Sequence, residues 1–392
     1  MRALRAIVIV LLVALGFLGG YFAGWFLHGD NLSLGSLRDN KTAAEEAGAL
    51  QERIIQELLD RYYKPLDADE LSQAGVSGTL ESLNDPYTVY LTPEETQAFE
   101  EKQKGEYSGI GAALQATDKG LVITSVFEGS PAEEAGLAPG DTIVTVDGET
   151  TVDVAVETSI ARIKGEEGTD VELGVKPKGK DSVRKVTVTR RTIEIPETST
   201  EMMKTEGEKV GYIQLYEFGG NAARDVRDDV ESLTAKGAQS FILDLRYNGG
   251  GLLTQAVDVT GIFQTGVVTS TKGENSPLEV LETQGPVATD KPLVVLVNNY
   301  SASASEIVTG ALKDHERAEI IGTRTFGKGL VQSIIPLDDG AALKLTTAYY
   351  LTPDGTNINK KGITPDIRVV DDEATKKDEQ VQRALEFLAS VD

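Results

Sequence analysis

Asn299-Tyr300-Ser301-Ala302-Ser303-Ala304-Ser305-Glu306-Ile307-Val308-Thr309-Gly310 comes shortly after Pro292-Leu293-Val294-Val295-Leu296-Val297, a run without charge and rich in valine and leucine. An uncharged, β-branched run of this length reads as a buried strand of a parallel sheet. The small residues after it read as a tight turn. Ile307, Val308, Ala311 and Leu312 then follow the apolar spacing of a helix. A strand, a small-residue turn and a helix N-terminus together make a seat for a nucleophile, because the first backbone N–H groups of a helix are free to hold developing negative charge. Serines also cap helices, and alternating Ser and Ala is ordinary turn composition. Both readings stand on this stretch alone.

Working outward, the chain keeps alternating strand and helix from Lys209 onward. Val210–Leu215 reads as a strand, Asn221–Lys236 as an amphipathic helix closed by Gly237, and Ser240–Arg246 as a strand entering Tyr247-Asn248-Gly249-Gly250-Gly251. Leu252–Phe263 reads as the next helix. This alternation predicts a parallel-rich α/β layer with function at the C-terminal ends of its strands. The triple-glycine turn and the serine turn both fall there. Consecutive glycines let backbone approach a substrate and aim N–H groups inward. The turn lacks the Gly-Lys-Ser/Thr ending of a nucleotide loop.

The chain has 392 residues, room for two or three domains, and a formal charge of −24. Such acidity argues against nucleic acid as a partner. The absence of cysteine excludes thiolate catalysis, disulfides and Cys-ligated zinc, and two histidines, His28 and His315, make a His-based metal site improbable. No cofactor and no metal are expected. Ala6–Leu27 carries no charge and follows Arg2 and Arg5. As a helix it would span about 33 Å, enough for a hydrocarbon core. The arginines put the N-terminus in the cytoplasm and all that follows on the extracytoplasmic side of the cell membrane. A cleaved signal peptide is the competing reading. Residues 29–42 read as a polar linker, and helices are expected from Ala43 to Tyr63, Asp69 to Leu83 and Pro93 to Lys104, packing on a larger domain or on a second copy.

Between residues 106 and 190, Gly129-Ser130-Pro131-Ala132-Glu133-Glu134-Ala135-Gly136-Leu137, Gly140-Asp141 and Ile143 resemble a PDZ domain of the kind associated with bacterial proteases. The resemblance implies that a peptide C-terminus adds as a strand to an exposed edge. It also implies that Gly109-Ile110-Gly111-Ala112 is the carboxylate-binding loop, opposite a helix at about Val152–Lys164.

A serine hydroxyl needs a base. If residues 303 to 315 are helical, His315 lies about 18 Å from Ser303 along the axis, which disfavours a histidine triad. Lysine remains, if burial lowers its pKa. Lys328 lies in Phe326-Gly327-Lys328-Gly329-Leu330-Val331-Gln332, which is also the composition of a solvated turn. These residues, with Ser-Ala-Ser-Ala-Ser-Glu-Ile (301–307), Tyr349-Tyr350-Leu351-Thr352-Pro353-Asp354-Gly355 and Lys361-Gly362-Ile363-Thr364-Pro365-Asp366, resemble the carboxyl-terminal processing peptidases. That family comprises serine–lysine proteases related to the tail-specific protease, and the resemblance runs from about Ala49 to Val369. It implies Ser303 as nucleophile, Lys328 as base and Gln332 as the residue that orients the lysine, with Glu306 or Asp314 as alternatives for that last role. It further implies an oxyanion hole made by the backbone of Gly250 or its neighbour and of Ala304.

The resulting expectation is an α/β protease core with flanking helices, plus N-terminal helices, an inserted α+β PDZ-like domain and an N-terminal transmembrane helix. The boundaries are 1–28 for the anchor, 29–105 for the linker and helical region, 106–190 for the PDZ-like domain, 191–370 for the core and 371–392 for an acidic C-terminal helix. Its expected activity is a membrane-anchored endopeptidase cutting proteins near their C-termini, with a homodimer as the assembly. A non-catalytic peptide-binding scaffold is the alternative. Val381, Leu385 and Leu388 of the tail are expected to pack on the N-terminal helices or on a partner subunit.

Overall fold

Every residue of the strand Leu293–Val297 is buried, and it lies within the largest parallel layer of the molecule. The computed structural model describes residues 34–205, 207–338, 340–371 and 377–391. The chain divides into two compact units, at Asn84/Asp85. In the first, the helices Leu34–Arg61 and Ala68–Glu81 pack together, and Asp67 caps the second by accepting from the Asp69 and Glu70 amides. The first helix thus begins inside the stretch expected as a linker. Among the described residues no helix is long and apolar enough to cross a membrane. The expected span Ala6–Leu27 lies outside the described residues.

In the second unit, six strands form the main sheet in the order Thr198–Thr205, Glu208–Leu215, Ser240–Asp244, Leu293–Val297, Glu319–Gly322 and Ile367–Arg368. The first pair is antiparallel and the other four pairings are parallel. One face is covered by the helices Ala222–Ala235, Leu253–Phe263 and Ala304–Asp314, whose Val226, Val230, Ile262 and Val308 are fully buried. A parallel sheet needs both faces covered. The C-terminal helix Glu379–Leu388 supplies the other side, placing Ala384 and Leu388 on Val210, Ile242, Val294 and Leu296. This corrects the expectation that the tail packs on the N-terminal helices or a partner. Its apolar stripe is needed by the sheet itself.

The same helix is tied to the site by charge. Arg246 donates to both oxygens of Asp244 and to both oxygens of Asp378, at 2.6–3.0 Å. Asp244 is fully buried and also accepts from the Tyr212 hydroxyl at 2.6 Å. These bonds fix the strand end immediately before the glycine turn.

A second, antiparallel sheet holds Val89–Leu91, Val267–Lys272, Glu279–Glu282, Leu330–Pro336 and Ala342–Leu351. The PDZ-like unit has its own core around Leu121, Ile143, Val171 and Leu173. It is entered and left at one place, because Glu106–Gly109 pairs with Arg191–Glu194 and the Ile195 amide donates to Gly105 O at 2.9 Å. Its sheet runs Ala112–Thr117, Gly120–Val126, Thr142–Val146, Asp170–Lys176 and Arg184–Thr189, so Ala112–Thr117 is an edge strand. The helix Val156–Ile163 lies within the expected range. Ile110 and Gly111 spend their carbonyls on the Ala132 and Phe127 amides, which shapes the turn before the edge strand.

Truncating Leu388 to alanine should destabilise the folded chain by about 2–5 kcal/mol, the usual cost of deleting a buried leucine side chain. Urea denaturation measures it. A change within about 0.5 kcal/mol would mean that the C-terminal helix is not part of this core.

Candidate active site

Three serines lie in the turn after Leu293–Val297, and their surroundings separate them. The Ser301 hydroxyl donates to Leu245 O at 2.8 Å and accepts from the Asn298 amide at 2.9 Å. The Ser305 hydroxyl donates to Asn248 O at 2.9 Å. Both side chains are fully buried and serve the fold. Ser303 alone of the three is incompletely buried, and it lines a cleft of about 820 Å³. Its backbone has φ 56° and ψ −115°, left-handed for a residue with a Cβ. Such a conformation costs about 1–3 kcal/mol and persists only where surroundings impose it.

Glu306 is a large part of what imposes it. One turn into the helix Ala304–Asp314, its side chain is fully buried. Oε2 accepts from the Ser303 amide at 3.0 Å and from the Lys328 amide at 2.8 Å. Oε1 accepts from the Gly327 amide at 2.8 Å and from the Thr325 hydroxyl at 2.5 Å. One carboxylate therefore pins the lysine loop to the serine turn. Burial pushes the Glu306 carboxyl above its usual range, while its hydrogen bonds pull it down. All four partners are donors, so this geometry holds the ionised form. The lysine loop fits only because its glycines lack side chains. Gly327 has φ 91°, and a Cβ there would sit 2.8 Å from the Gly362 nitrogen.

Lys328 lines the same cleft as Ser303. Its Nζ lies 4.8 Å from the centroid of the Tyr87 ring. Burial lowers its pKa from the ordinary lysine value, with a further push from Lys344 and an opposing pull from Glu306. The Tyr350 hydroxyl donates to Lys328 O and lies 3.2 Å from Ser303 O. Tyr87 and Lys344 belong to no motif, and Tyr350, part of the Tyr349–Gly355 stretch, had no expected role; the fold brings all three to the lysine loop. Phe326, two residues before the lysine, is largely exposed, whereas Leu330 and Val331 line the cleft. Gln332 lines the cleft at a bulge in its strand, but among the described residues its buried Nε2 has no hydrogen-bond partner and none joins it to Lys328. Asp314 accepts from the Asp354 amide at the far end of the helix, away from the lysine loop. His315 lies at that end too, its Nε2 2.8 Å from Val267 O.

The glycine turn closes the arrangement. A Cβ at Gly250 would come 2.8 Å from the Ser303 Cβ and 3.0 Å from the Ala304 nitrogen, so only glycine lets this turn lie against the serine. The Gly250 amide, however, donates to Asn248 Oδ1 at 2.9 Å. In this conformation it is not free to meet an oxyanion. The Gly251 and Ala304 amides have no acceptor among the described residues.

Replacing Ser303 with glycine should make the chain about 1–3 kcal/mol more stable than replacing it with alanine, because glycine relieves the backbone strain that alanine retains. Urea unfolding of the two variants reads this directly. Equal stabilities would mean that the turn is unstrained.

Residues 209–369 match peptidase family S41, and residues 97–176 match the PDZ domain. The carboxy-terminal processing protease CtpA of Bacillus subtilis is 36% identical over 318 residues, covering 81% of this chain and 67% of that protein. The carboxyl-terminal-processing protease of Picosynechococcus sp. is 38% identical over 335 residues, covering 83% of this chain and 81% of that protein. A "probable CtpA-like serine protease" of Staphylococcus haemolyticus is 39% identical, and the chain spans 62% of its length. Among solved structures, a photosystem II D1 C-terminal processing protease superposes with a TM-score of 0.50 at 30% identity, over 84% of this chain and 89% of that one. With a serine turn and a lysine loop meeting at one cleft, and with sequence agreement over most of its length, the chain belongs to peptidase family S41, as a member that carries a PDZ domain.

Proposed function

We propose that this chain is a serine endopeptidase that cuts protein substrates near their C-termini, with Ser303 as nucleophile and Lys328 as general base. The observation that carries the reading is the shared Glu306 carboxylate, which fixes the backbones of Ser303 and Lys328 against each other at the mouth of one cleft. In the reaction, the neutral Lys328 amine takes the Ser303 hydroxyl proton as Oγ attacks the scissile carbonyl. The tetrahedral oxyanion is met by the Ala304 amide and by that of Gly251, or of Gly250 once it leaves Asn248 Oδ1. The ammonium then protonates the departing amine, and water hydrolyses the acyl-enzyme by the same route. Gln332, whose Nε2 has no hydrogen-bond partner among the described residues, orients the lysine or a substrate carbonyl when substrate is bound.

The PDZ-like unit supplies the preference for chain ends. A substrate tail adds to the free edge of Ala112–Thr117, and its carboxylate is held at the turn Gly109-Ile110-Gly111-Ala112. Ala6–Leu27 anchors the chain in the cell membrane, with the catalytic part on the extracytoplasmic side. Two copies assemble through the helix Leu34–Arg61, whose Leu50 and Ile54 are half exposed.

Cleavage of an unstructured protein substrate should be lost in both Ser303→Ala and Lys328→Ala, and retained activity in either would end the assignment. The active base is neutral, so kcat/KM should rise with pH through the Lys328 pKa, which lies below that of a free lysine side chain. Lys344→Gln removes a nearby positive charge and should move that rising limb to higher pH. A limb that stays in place would exclude Lys328 as the titrating group.

A further inference from the structure

Three large aromatic side chains stand exposed around the cleft: Tyr247 at 68%, Tyr300 at 58% and Phe326 at 58%. Each belongs to a segment that builds the site. Tyr247 precedes the glycine turn and lines the cleft itself, Tyr300 comes three residues before Ser303, and Phe326 comes two before Lys328. The Tyr247 and Tyr300 rings stack, with centroids 5.4 Å apart and planes inclined by 25°.

Their backbones are held together from below. Asn298, itself buried, accepts from both the Tyr247 and Tyr300 amides through the single atom Oδ1, at 3.1 and 3.0 Å. The Phe326 amide donates to Ser301 O at 3.0 Å, which ties the third aromatic to the same turn. Tyr247 has φ 63°, unfavourable for a bulky side chain and ordinary for glycine or asparagine. Neither tyrosine hydroxyl has a hydrogen-bond partner among the described residues. An exposed pair of rings held in a strained backbone adds little to folding, since such a stack contributes about 0.5–1.5 kcal/mol. The same pair offers a flat, ordered, apolar face beside the nucleophile. Its adaptable part is small, because a tyrosine loses only two side-chain torsions on binding.

We propose that Tyr247 and Tyr300 form a substrate subsite that takes an aromatic or large aliphatic side chain next to the scissile bond. The proposal rests on Ser303 being the nucleophile and adds a preference that the serine and lysine alone do not supply. The peptide in the cleft is fixed by its backbone at the Ala304 and glycine-turn amides, and one of its side chains then lies on the tyrosine face. Burying a large apolar group in such a subsite typically discriminates against a small one by about tenfold to two-hundredfold.

The test uses pairs of fluorogenic peptides that differ only in phenylalanine or alanine, placed in turn at each position flanking the cleaved bond. At one of these positions the wild-type chain should favour phenylalanine by about tenfold or more in kcat/KM. Tyr247→Asn, which tolerates positive φ, and Tyr300→Gly should each lower that ratio at least fivefold, through loss on the phenylalanine peptide. Tyr300→Phe, which keeps the ring, should retain the ratio. Labelling of Ser303 by a small acylating probe, which needs no side-chain subsite, reports whether the turn itself is intact. An unchanged ratio in the Tyr247→Asn/Tyr300→Gly double variant overturns the proposal. So do equal losses on both peptides accompanied by lost labelling, which would give the rings a purely structural role. Unchanged cleavage by Ser303→Ala would instead remove the catalytic reading itself, and the subsite with it.

Discussion

The candidate site depends on one buried carboxylate. Glu306 is withdrawn from water, and an isolated charge in that position would cost several kcal/mol. Four donors from two separate loops offset that cost: the Ser303 amide from one, and the Thr325 hydroxyl and the amides of Gly327 and Lys328 from the other. Satisfying the charge therefore dictates where two loops, 22 residues apart in sequence by the Glu306–Lys328 pair, must meet. The same bond to its amide holds Ser303 in a conformation that its side chain disfavours. Strain at Ser303 and order in the lysine loop are two consequences of one desolvated group.

Around that centre, buried polar side chains form a frame. Asn248 sends Nδ2 to Leu215 O and receives the Ala302 amide and the Ser305 hydroxyl on its carbonyl. Asn298 receives two tyrosine amides, and Ser301 bridges Leu245 to Asn298. These groups have no access to water, so each must find a protein partner, and the partners are the backbones of the turns at the sheet's C-terminal edge. Such a frame specifies geometry more sharply than apolar packing does, because a misplaced donor is left unpaired.

The layers beneath divide the work. Apolar burial on both faces holds the parallel sheet, with the C-terminal helix as its second cover. The Asp244–Arg246–Asp378 bonds carry that cover through to the strand end beside the glycine turn. The lysine comes from the loop leading into the antiparallel sheet, whose Ala342–Leu351 strand also delivers Lys344 and Tyr350 to the cleft. The PDZ-like unit joins through paired strands at a single base, which leaves its Ala112–Thr117 edge unpaired.

Most elements of the core and both of its turns were legible in the amino-acid sequence. The uncharged Leu293–Val297 run, the spacing of Val226, Val230 and Leu233, and the glycines at 249–251 are local signals, and each produced the element expected. The sequence also pointed to Ser303 and Lys328, through motifs whose residues are close in the chain. The rest was settled by the way the segments meet. The tertiary structure buried Ser301 and Ser305 while leaving Ser303 at the cleft, committed the Gly250 amide to Asn248, left the Gln332 Nε2 without a partner among the described residues and turned the tail's apolar stripe onto the sheet. It also brought Tyr87, from the turn before Val89–Leu91, and Lys344 and Tyr350, from the strand Ala342–Leu351, to the lysine. The physical reason is that hydrogen-bond satisfaction and desolvation are settled between segments, and a linear pattern records only what each segment needs, not which partner meets the need.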